Sequence, residues 1–101
     1  MKSIISITEL AEGDLFEVTK WYEKQKEGLG EQFLINFESC LSVIERNPEQ
    51  FVNQYKNFRR VLFNRFPYAV YYKILSDKIE VVGVFHQRRN IFRELKKRNK
   101  K

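Results

Sequence analysis

The spacing of the apolar residues changes in the middle of this 101-residue chain, and the change constrains the fold more than any other feature. Between residues 9 and 47 the apolar residues recur every three or four positions, which is the period of an α-helix. After "FVNQYKN" (residues 51–57) the chain becomes rich in β-branched and aromatic residues, as strands are. Pro48 separates the two patterns because proline cannot continue a helix. The sequence therefore predicts a helical part followed by a sheet.

The helical part is predicted to be a hairpin that follows a short first strand. The β-branched segment "SIISIT" (residues 3–8) predicts the strand, and Thr8 can cap a helix near residues 9–26. Two glycines in "EGLGEQ" interrupt the pattern before a second helix near residues 30–46, so the two helices are expected to be antiparallel. The residues predicted to pack on the sheet are Leu15, Val18, Trp21, Tyr22, Phe37, Leu41 and Ile44.

The second part is predicted to be an antiparallel meander of three strands. The strands are "FRRVLF" (58–63), "YAVYYKIL" (68–75) and "IEVVGVF" (79–85), joined by the turns "NRFP" and "SDK". Valines occupy both faces of the last strand, which is therefore expected to lie inside the sheet.

The predicted order is β-α-α-β-β-β, an α+β fold with an N-terminal helical hairpin packed on a small, mainly antiparallel sheet. Residues 1–101 are expected to form a single domain, because 101 residues support one modest core. The segment "RNIFRELKKRNKK" could add a short terminal helix, and we expect its basic tail to fray from about residue 96.

Composition argues against several classes of protein. There is no apolar run of about 18 residues, so no membrane span is expected. The first residues lack the pattern of a secretory signal, and a cytoplasmic location is expected. The one cysteine, Cys40, cannot form an internal disulfide and is expected to be a small buried hydrophobe. One cysteine and one histidine do not make a metal-ligand cluster, and no cofactor is suggested.

Charge is unevenly distributed along the chain. Residues 1–50 hold five basic and ten acidic residues, a net charge of −5, whereas residues 51–101 hold fourteen basic and three acidic residues, a net charge of +11. The second part is therefore either a solvated basic surface or a surface that meets an anionic partner.

The segment "HQRRN" (residues 86–90) follows the last predicted strand and carries the only histidine. The His86 imidazole could act as an acid or base near physiological pH, or it could make a structural hydrogen bond that fixes the following turn. Arg88 and Arg89 could grip a phosphate group.

Arg59 and Arg60 are adjacent in a predicted strand, so their side chains face opposite sides of the sheet. We expect Arg60 to line a concave site and Arg59 to pair with a helix acid such as Glu23 or Glu27. The neighbouring Tyr71 either stacks on nucleic-acid bases or packs in the core.

The order of these segments resembles the RelE/ParE superfamily of bacterial toxins from type II toxin–antitoxin systems. The segments that carry the resemblance are "DLFEVTKWYEKQKEGLGEQF", "NPEQF", "FRRVLFNRFPYAVYYKI" and "VVGVFHQRRN". With the order of elements, the resemblance covers roughly residues 3–92. RelE-like members are ribosome-dependent ribonucleases with basic residues and a tyrosine on a concave sheet face, whereas ParE-like members poison DNA gyrase.

Anchoring the comparison on Tyr68 shows how the chain departs from the RelE-like set. Arg60 and Arg88 fall where RelE-like members have basic residues. Leu62 replaces a lysine, Ala69 replaces a phosphate-binding arginine, and Glu94 or its neighbours stand where the tyrosine would be. These losses favour a ParE-like toxin that is not an enzyme.

The resemblance thus implies a toxin that poisons DNA gyrase and is neutralised by a cognate acidic antitoxin. One alternative is a RelE-like endoribonuclease that cleaves mRNA on the ribosome, with the catalytic candidates Arg60, His86, Arg88 and Arg89. Another is an antitoxin-binding module that has lost toxicity. The residues expected to bind the target or the antitoxin are Arg59, Arg60, Arg65, Tyr71, Arg88 and Arg89.

Overall fold

The chain forms a helical hairpin and a five-stranded sheet, seen in a computed structural model that describes residues 4–99. In chain order the elements are β1 (Ile5–Ile7), α1 (Glu9–Gln25), α2 (Leu29–Arg46), a 3-10 helix (Pro48–Gln50), β2 (Asn53–Tyr55), β3 (Phe58–Leu62), β4 (Tyr68–Ile74), β5 (Ile79–His86) and α3 (Phe92–Arg98). The strand order is β1-β5-β4-β3-β2, and only the pairing of β1 with β5 is parallel. The predicted α+β fold is confirmed. The short terminal helix that the sequence allowed is present as α3, and β2 is added to the predicted elements.

The hairpin begins and turns as the sequence predicts. The Thr8 side chain accepts a hydrogen bond from the Ala11 N–H at 3.1 Å and so caps α1. At the turn, the Glu23 carboxylate accepts hydrogen bonds from the N–H groups of Gly28 and Gly30, which lower the pKa of Glu23. A Cβ at Gly30 would lie 2.9 Å from the Thr19 carbonyl oxygen, so only glycine lets the two helices approach this closely.

The main core lies between the hairpin and one face of the sheet, which we call the hairpin face. Phe37 is 4% exposed, Ile44 is fully buried, and Leu15, Val18 and Leu41 pack against them, as predicted. The prediction that Trp21 belongs to this core is wrong, because the side chain is 55% exposed. Tyr22 does lie in the apolar stripe of α1, as predicted. Trp21 precedes it on the helix and points away from the core, and its ring contacts the Tyr22 ring edge to face with the centres 5.1 Å apart.

The opposite face of the sheet carries a second, smaller core beneath α3, and we call it the α3 face. Its buried members are Phe58, Ala69, Tyr71, Val82, Phe85, Ile91 and Leu95. The last strand, β5, lies between β1 and β4 and contributes valines to both cores, which confirms the predicted central position.

Helix α3 continues past the residue at which the sequence predicts fraying. Arg98 bonds Asp14 of α1 at 2.7 Å, Glu94 at 2.9 Å and the Val82 carbonyl at 2.8 Å, and Asn99 accepts a hydrogen bond from Lys73 at 3.2 Å. These contacts hold the helix through its last turn. Ser3 of the predicted first strand and residues 100–101 of the predicted tail lie outside the described residues.

Candidate functional site

Arg60 is directed to the α3 face and is held there by a buried tyrosine. One guanidinium N–H of Arg60 donates to the Tyr71 hydroxyl at 3.1 Å. Tyr71 itself is 1% exposed and packs in the second core. Tyr71, one of the six residues predicted to bind a partner, therefore serves as a support that orients the half-buried Arg60.

Arg59 points to the hairpin face and braces the segment before β2. Its guanidinium donates to the Phe51 carbonyl at 2.7 Å, not to Glu23 or Glu27, so the predicted pairing with a helix acid is wrong. The Tyr72 hydroxyl donates to the Pro48 carbonyl at 2.6 Å and so holds the segment around the 3-10 helix beside Arg59. The backbone carbonyls of this segment are therefore the acceptors that Arg59 reaches. Burial raises the pKa of Tyr72 to about 12, although the nearby Arg59 charge opposes the shift.

His86 fixes the turn that follows β5. Its Nδ1 accepts a hydrogen bond from the Arg88 N–H at 3.1 Å, and its carbonyl accepts one from the Arg89 N–H at the same distance. The ring packs edge-on against Tyr68 at 5.3 Å, and burial raises the pKa of Tyr68. These contacts match the interpretation of His86 as a structural residue.

The four catalytic candidates of the ribonuclease alternative do not converge on one face of the sheet. His86 packs with Tyr68 on the hairpin face, and Arg60 packs with Tyr71 on the α3 face. Arg88 and Arg89 are exposed in the turn beyond β5, where the Arg89 guanidinium lies 5.1 Å from the centre of the Phe85 ring. The structure therefore separates His86 from Arg60, whereas His86 and Arg89 line one pocket beside α1.

Leu62 and Ala69, which stand where RelE-like members have basic residues, are neighbours across β3 and β4. Leu62 pairs with Ala69 in the sheet register. Ala69 is fully buried in the second core, whereas the Leu62 side chain is 50% exposed. Glu94, near the expected tyrosine, is engaged by Arg98 in α3. The α3 face is thus apolar and covered at Ala69.

Arg65 lies in the turn between β3 and β4 and is exposed. The turn is fixed from the hairpin, because the Asn36 side-chain oxygen accepts hydrogen bonds from the Asn64 N–H at 2.9 Å and the Arg65 N–H at 3.4 Å. The Arg65 side chain is therefore presented from a rigid backbone.

Asp14 and Arg98 form a network that the sequence did not reveal, because 84 residues separate them. Asp14 accepts from two guanidinium N–H groups of Arg98 and from the Val84 N–H. Burial alone would lower the pKa of Arg98, but its hydrogen bonds and charge interactions with Asp14 and Glu94 raise it. The network joins α1, β5 and α3.

A groove of about 630 Å³ lies between α2, β3 and the segment around β2. Its lining is mostly apolar, with Arg60 as its charged member among the described residues. Val52 and Leu62 at the groove are 73% and 50% exposed. Burial raises the pKa of the Cys40 thiol in the groove wall to about 11, in keeping with the prediction of a buried hydrophobe. The lining residues are Asn36, Ser39, Cys40, Val43, Phe51, Val52, Gln54, Arg60, Val61, Leu62 and Asn64.

Over residues 4–99 there is no group of three or more His, Cys, Asp or Glu side chains that could hold a metal ion. Within the same range no helix has the length and apolar character needed to cross a membrane.

Comparison with known protein families identifies this arrangement. Residues 5–91 match the family described as the ParE toxin of the type II toxin–antitoxin system parDE. The chain belongs to this ParE toxin family. It is therefore a toxin of a type II toxin–antitoxin system, with an antitoxin as the implied partner, and the resemblance to the RelE/ParE superfamily is confirmed.

Solved structures share the fold of this ParE-family toxin at low sequence identity. The chromosomal ParDE toxin–antitoxin system from P. aeruginosa matches with a TM-score of 0.70 and 13% identity, over 83% of this chain and 95% of that chain. A mutant of the E. coli toxin RelE in the free state matches with a TM-score of 0.66 and 15% identity, over 99% of this chain and 100% of that chain. No curated protein sequence matches the chain significantly.

Proposed function

We propose that this toxin acts in the cytoplasm by direct contact with DNA gyrase, and that a cognate acidic antitoxin neutralises it. The observation that carries the choice of gyrase over mRNA is the covered α3 face. Ala69 is fully buried in the core that α3 covers, so position 69 itself offers neither a cation nor an open cleft where RelE-like chemistry would need them.

The chemistry of RNA cleavage also argues for a protein target. Attack by a 2′-hydroxyl group requires a base, a proton donor and cations that face the developing charge, and each contributes about a hundredfold or more. Leu62 and Ala69 can supply neither charge nor a proton. His86 lies on the face opposite Arg60 and already uses Nδ1 to fix its own turn. Contact with a large protein does not require such an assembled set.

The antitoxin is proposed to bind as an acidic segment that folds on contact. The toxin carries a net charge of +6 and exposes apolar side chains beside a groove. A disordered acidic chain can bury apolar anchors and neutralise charge in the same step. We expect the C-terminal segment of the antitoxin to wrap the hairpin and approach the basic sheet side, where Arg65 and Arg88 are exposed.

Two assays run in parallel test the target. The purified toxin is added to gyrase in a supercoiling assay and to ribosomes programmed with mRNA. We expect inhibition of supercoiling and no codon-specific cleavage of mRNA. Replacing both Arg60 and Arg88 with alanine should reduce the inhibition of supercoiling only in part, because a few side chains dominate a protein interface and many contribute little.

The ribonuclease alternative predicts a different outcome for the same double variant. Cleavage of ribosome-bound mRNA would be robust in the native toxin and would fall by about a hundredfold or more in the variant, since phosphate stabilisation is lost. That result, with gyrase unaffected, would overturn the proposal. A toxin inactive in both assays that still binds its antitoxin would indicate lost toxicity and overturn it as well.

A further inference from the structure

Strand β3 has a paired neighbour along only part of its outer edge. The pairing with β2 covers Phe58 and Arg59 and stops there, whereas β4 pairs with the whole of β3 on the inner side. The Phe63 N–H donates to the Tyr68 carbonyl at 2.8 Å, so the backbone groups of Phe63 point toward β4. Successive residues of a strand direct these groups alternately toward and away from a given neighbour. The backbone groups of Leu62 therefore point outward, away from β4.

The groove occupies the place that a longer β2 would fill. It is lined by residues from both faces of β3, namely Arg60 and Leu62 on one and Val61 on the other, and by Val43 of α2 beyond the edge. The Cys40 sulfur lies 3.8 Å from the outward Leu62 carbonyl, a weak contact that a backbone N–H could replace. An extended segment laid here would meet a strand edge and apolar pockets together.

Strand β5 also has an outer edge that is only partly paired, but side chains block the unpaired part. Strand β1 pairs with β5 only from Ile79 to Val81. Immediately beyond, the Val84 N–H is taken by Asp14 and the Val82 carbonyl by Arg98. Such side-chain cover prevents unwanted strand pairing. Among the described residues, the unpaired part of the β3 edge has only the weak Cys40 contact as side-chain cover, and it opens onto the groove.

The charge of the groove indicates its occupant. Arg60 makes no ion pair among residues 4–99, and the buried Tyr71 hydroxyl holds its guanidinium in place. A second copy of the chain would bring a second Arg59–Arg60 pair to the same edge, and like charges across a strand pair are destabilising. An acidic residue on an otherwise apolar extended segment complements both features.

We propose that an extended, acidic and apolar segment of the antitoxin adds a strand to the outer edge of β3 and fills this groove, with one carboxylate on Arg60. Backbone hydrogen bonds to Leu62 would supply affinity, and the side chains entering the groove would supply specificity. This inference rests on the proposed antitoxin partner and is independent of whether gyrase is the target.

Hydrogen exchange of the complex tests the added strand. The full chain is co-expressed with its cognate antitoxin, and exchange is compared between the free toxin and the complex. The Leu62 amide should exchange at least about tenfold more slowly in the complex, because its N–H becomes part of a ladder. The amides of β1, Ile5–Ile7, should be unchanged.

Two results would overturn the inference in distinguishable ways. A stable complex in which the Leu62 amide is unprotected, or in which protection falls on β1, contradicts the docking site but leaves the antitoxin partnership intact. Failure of the two proteins to form any complex contradicts the partnership itself, and with it the inference.

Matched substitutions test the groove and its arginine separately. Leu62→Glu should weaken binding of the co-expressed antitoxin by about a hundredfold, because it places a carboxylate among apolar groups that the segment must bury. Ile4→Glu, the same kind of change at an exposed apolar residue on the β1 side, should change affinity by no more than about twofold. Arg60→Gln should weaken binding about tenfold, and Arg93→Gln on the exposed side of α3 should not. Circular dichroism and thermal unfolding establish that each variant is folded, and equal losses in the paired variants would overturn the inference.

Discussion

Asp14 shows how much a single side chain can connect in a small domain. Its carboxylate bonds Arg98 at 2.7 and 3.2 Å and also accepts the Val84 N–H at 3.1 Å. Gly83 makes this geometry possible, since a Cβ there would lie 3.0 Å from the Arg98 guanidinium and still closer to the Phe85 ring. One carboxylate thus joins the hairpin, the sheet and the terminal helix.

Replacing Asp14 with alanine should therefore destabilise the fold strongly. The change leaves a largely buried guanidinium and a strand N–H without their acceptor, and we expect it to lower the free energy of unfolding by about 2–4 kcal/mol. Urea denaturation measures the loss, and Glu17→Ala, an exposed acid on the same helix, is the control. Equal effects of the two substitutions would contradict this role for Asp14.

Phe37 should be a sensitive position on the buried side of α2. Its ring is 4% exposed and packs in the main core, so Phe37→Ala should cost about 3–5 kcal/mol in unfolding free energy. Ile35→Ala on the same helix, at a residue 56% exposed, should cost much less. A small loss for Phe37→Ala in chemical denaturation would show that the core is packed differently.

Residue roles that depend on local pattern could be predicted from the sequence, whereas roles that depend on distant contacts could not. Cys40 lies on an apolar helix stripe, and its burial followed from that stripe alone. Arg59 donates to backbone carbonyls of a neighbouring loop, and no pattern in the sequence specifies where a loop carbonyl will lie. The covered Ala69 and the Asp14–Arg98 pair depend likewise on how α3 folds back onto the sheet.

Among the elements, the long periodic ones were predicted closely and the short ones were not. The two hairpin helices span Glu9–Gln25 and Leu29–Arg46, within a residue of the predicted bounds, because a stripe over several turns leaves little ambiguity. Strand β2 is three residues, "NQY", two of them exposed, and has no alternation to detect. The groove beside β3 exists because β2 is so short, so it could not be predicted either.

Helix α3 owes its stability to the sheet beneath it. Seven residues are too few for a stable isolated helix, and Leu95 is fully buried in the second core. Leu95→Ala should lower the free energy of unfolding by about 2–5 kcal/mol, with Lys96→Ala as the exposed control. Denaturation with urea checks this, and indistinguishable midpoints for the two variants would contradict the packing of α3 on the sheet.

For the molecule as a whole, charge separates the acidic hairpin from the basic sheet part. An acidic antitoxin that binds the basic side should lose affinity as salt is added, because screening shortens the reach of charge from about 10 Å at 0.1 M to about 3 Å at 1 M. Titration of the toxin with its antitoxin across this range measures the effect. An affinity independent of salt would mean that apolar contacts alone hold the complex.

The central claim is that this ParE-family toxin acts on DNA gyrase through protein contact. The most direct measurement is the accumulation of cleaved DNA–gyrase complexes when purified toxin is added to gyrase and supercoiled DNA, followed by addition of the antitoxin. We expect cleaved complexes to appear in proportion to the toxin and to disappear once the antitoxin is present. Gyrase that remains fully active at toxin concentrations that cleave ribosome-bound mRNA would contradict the claim.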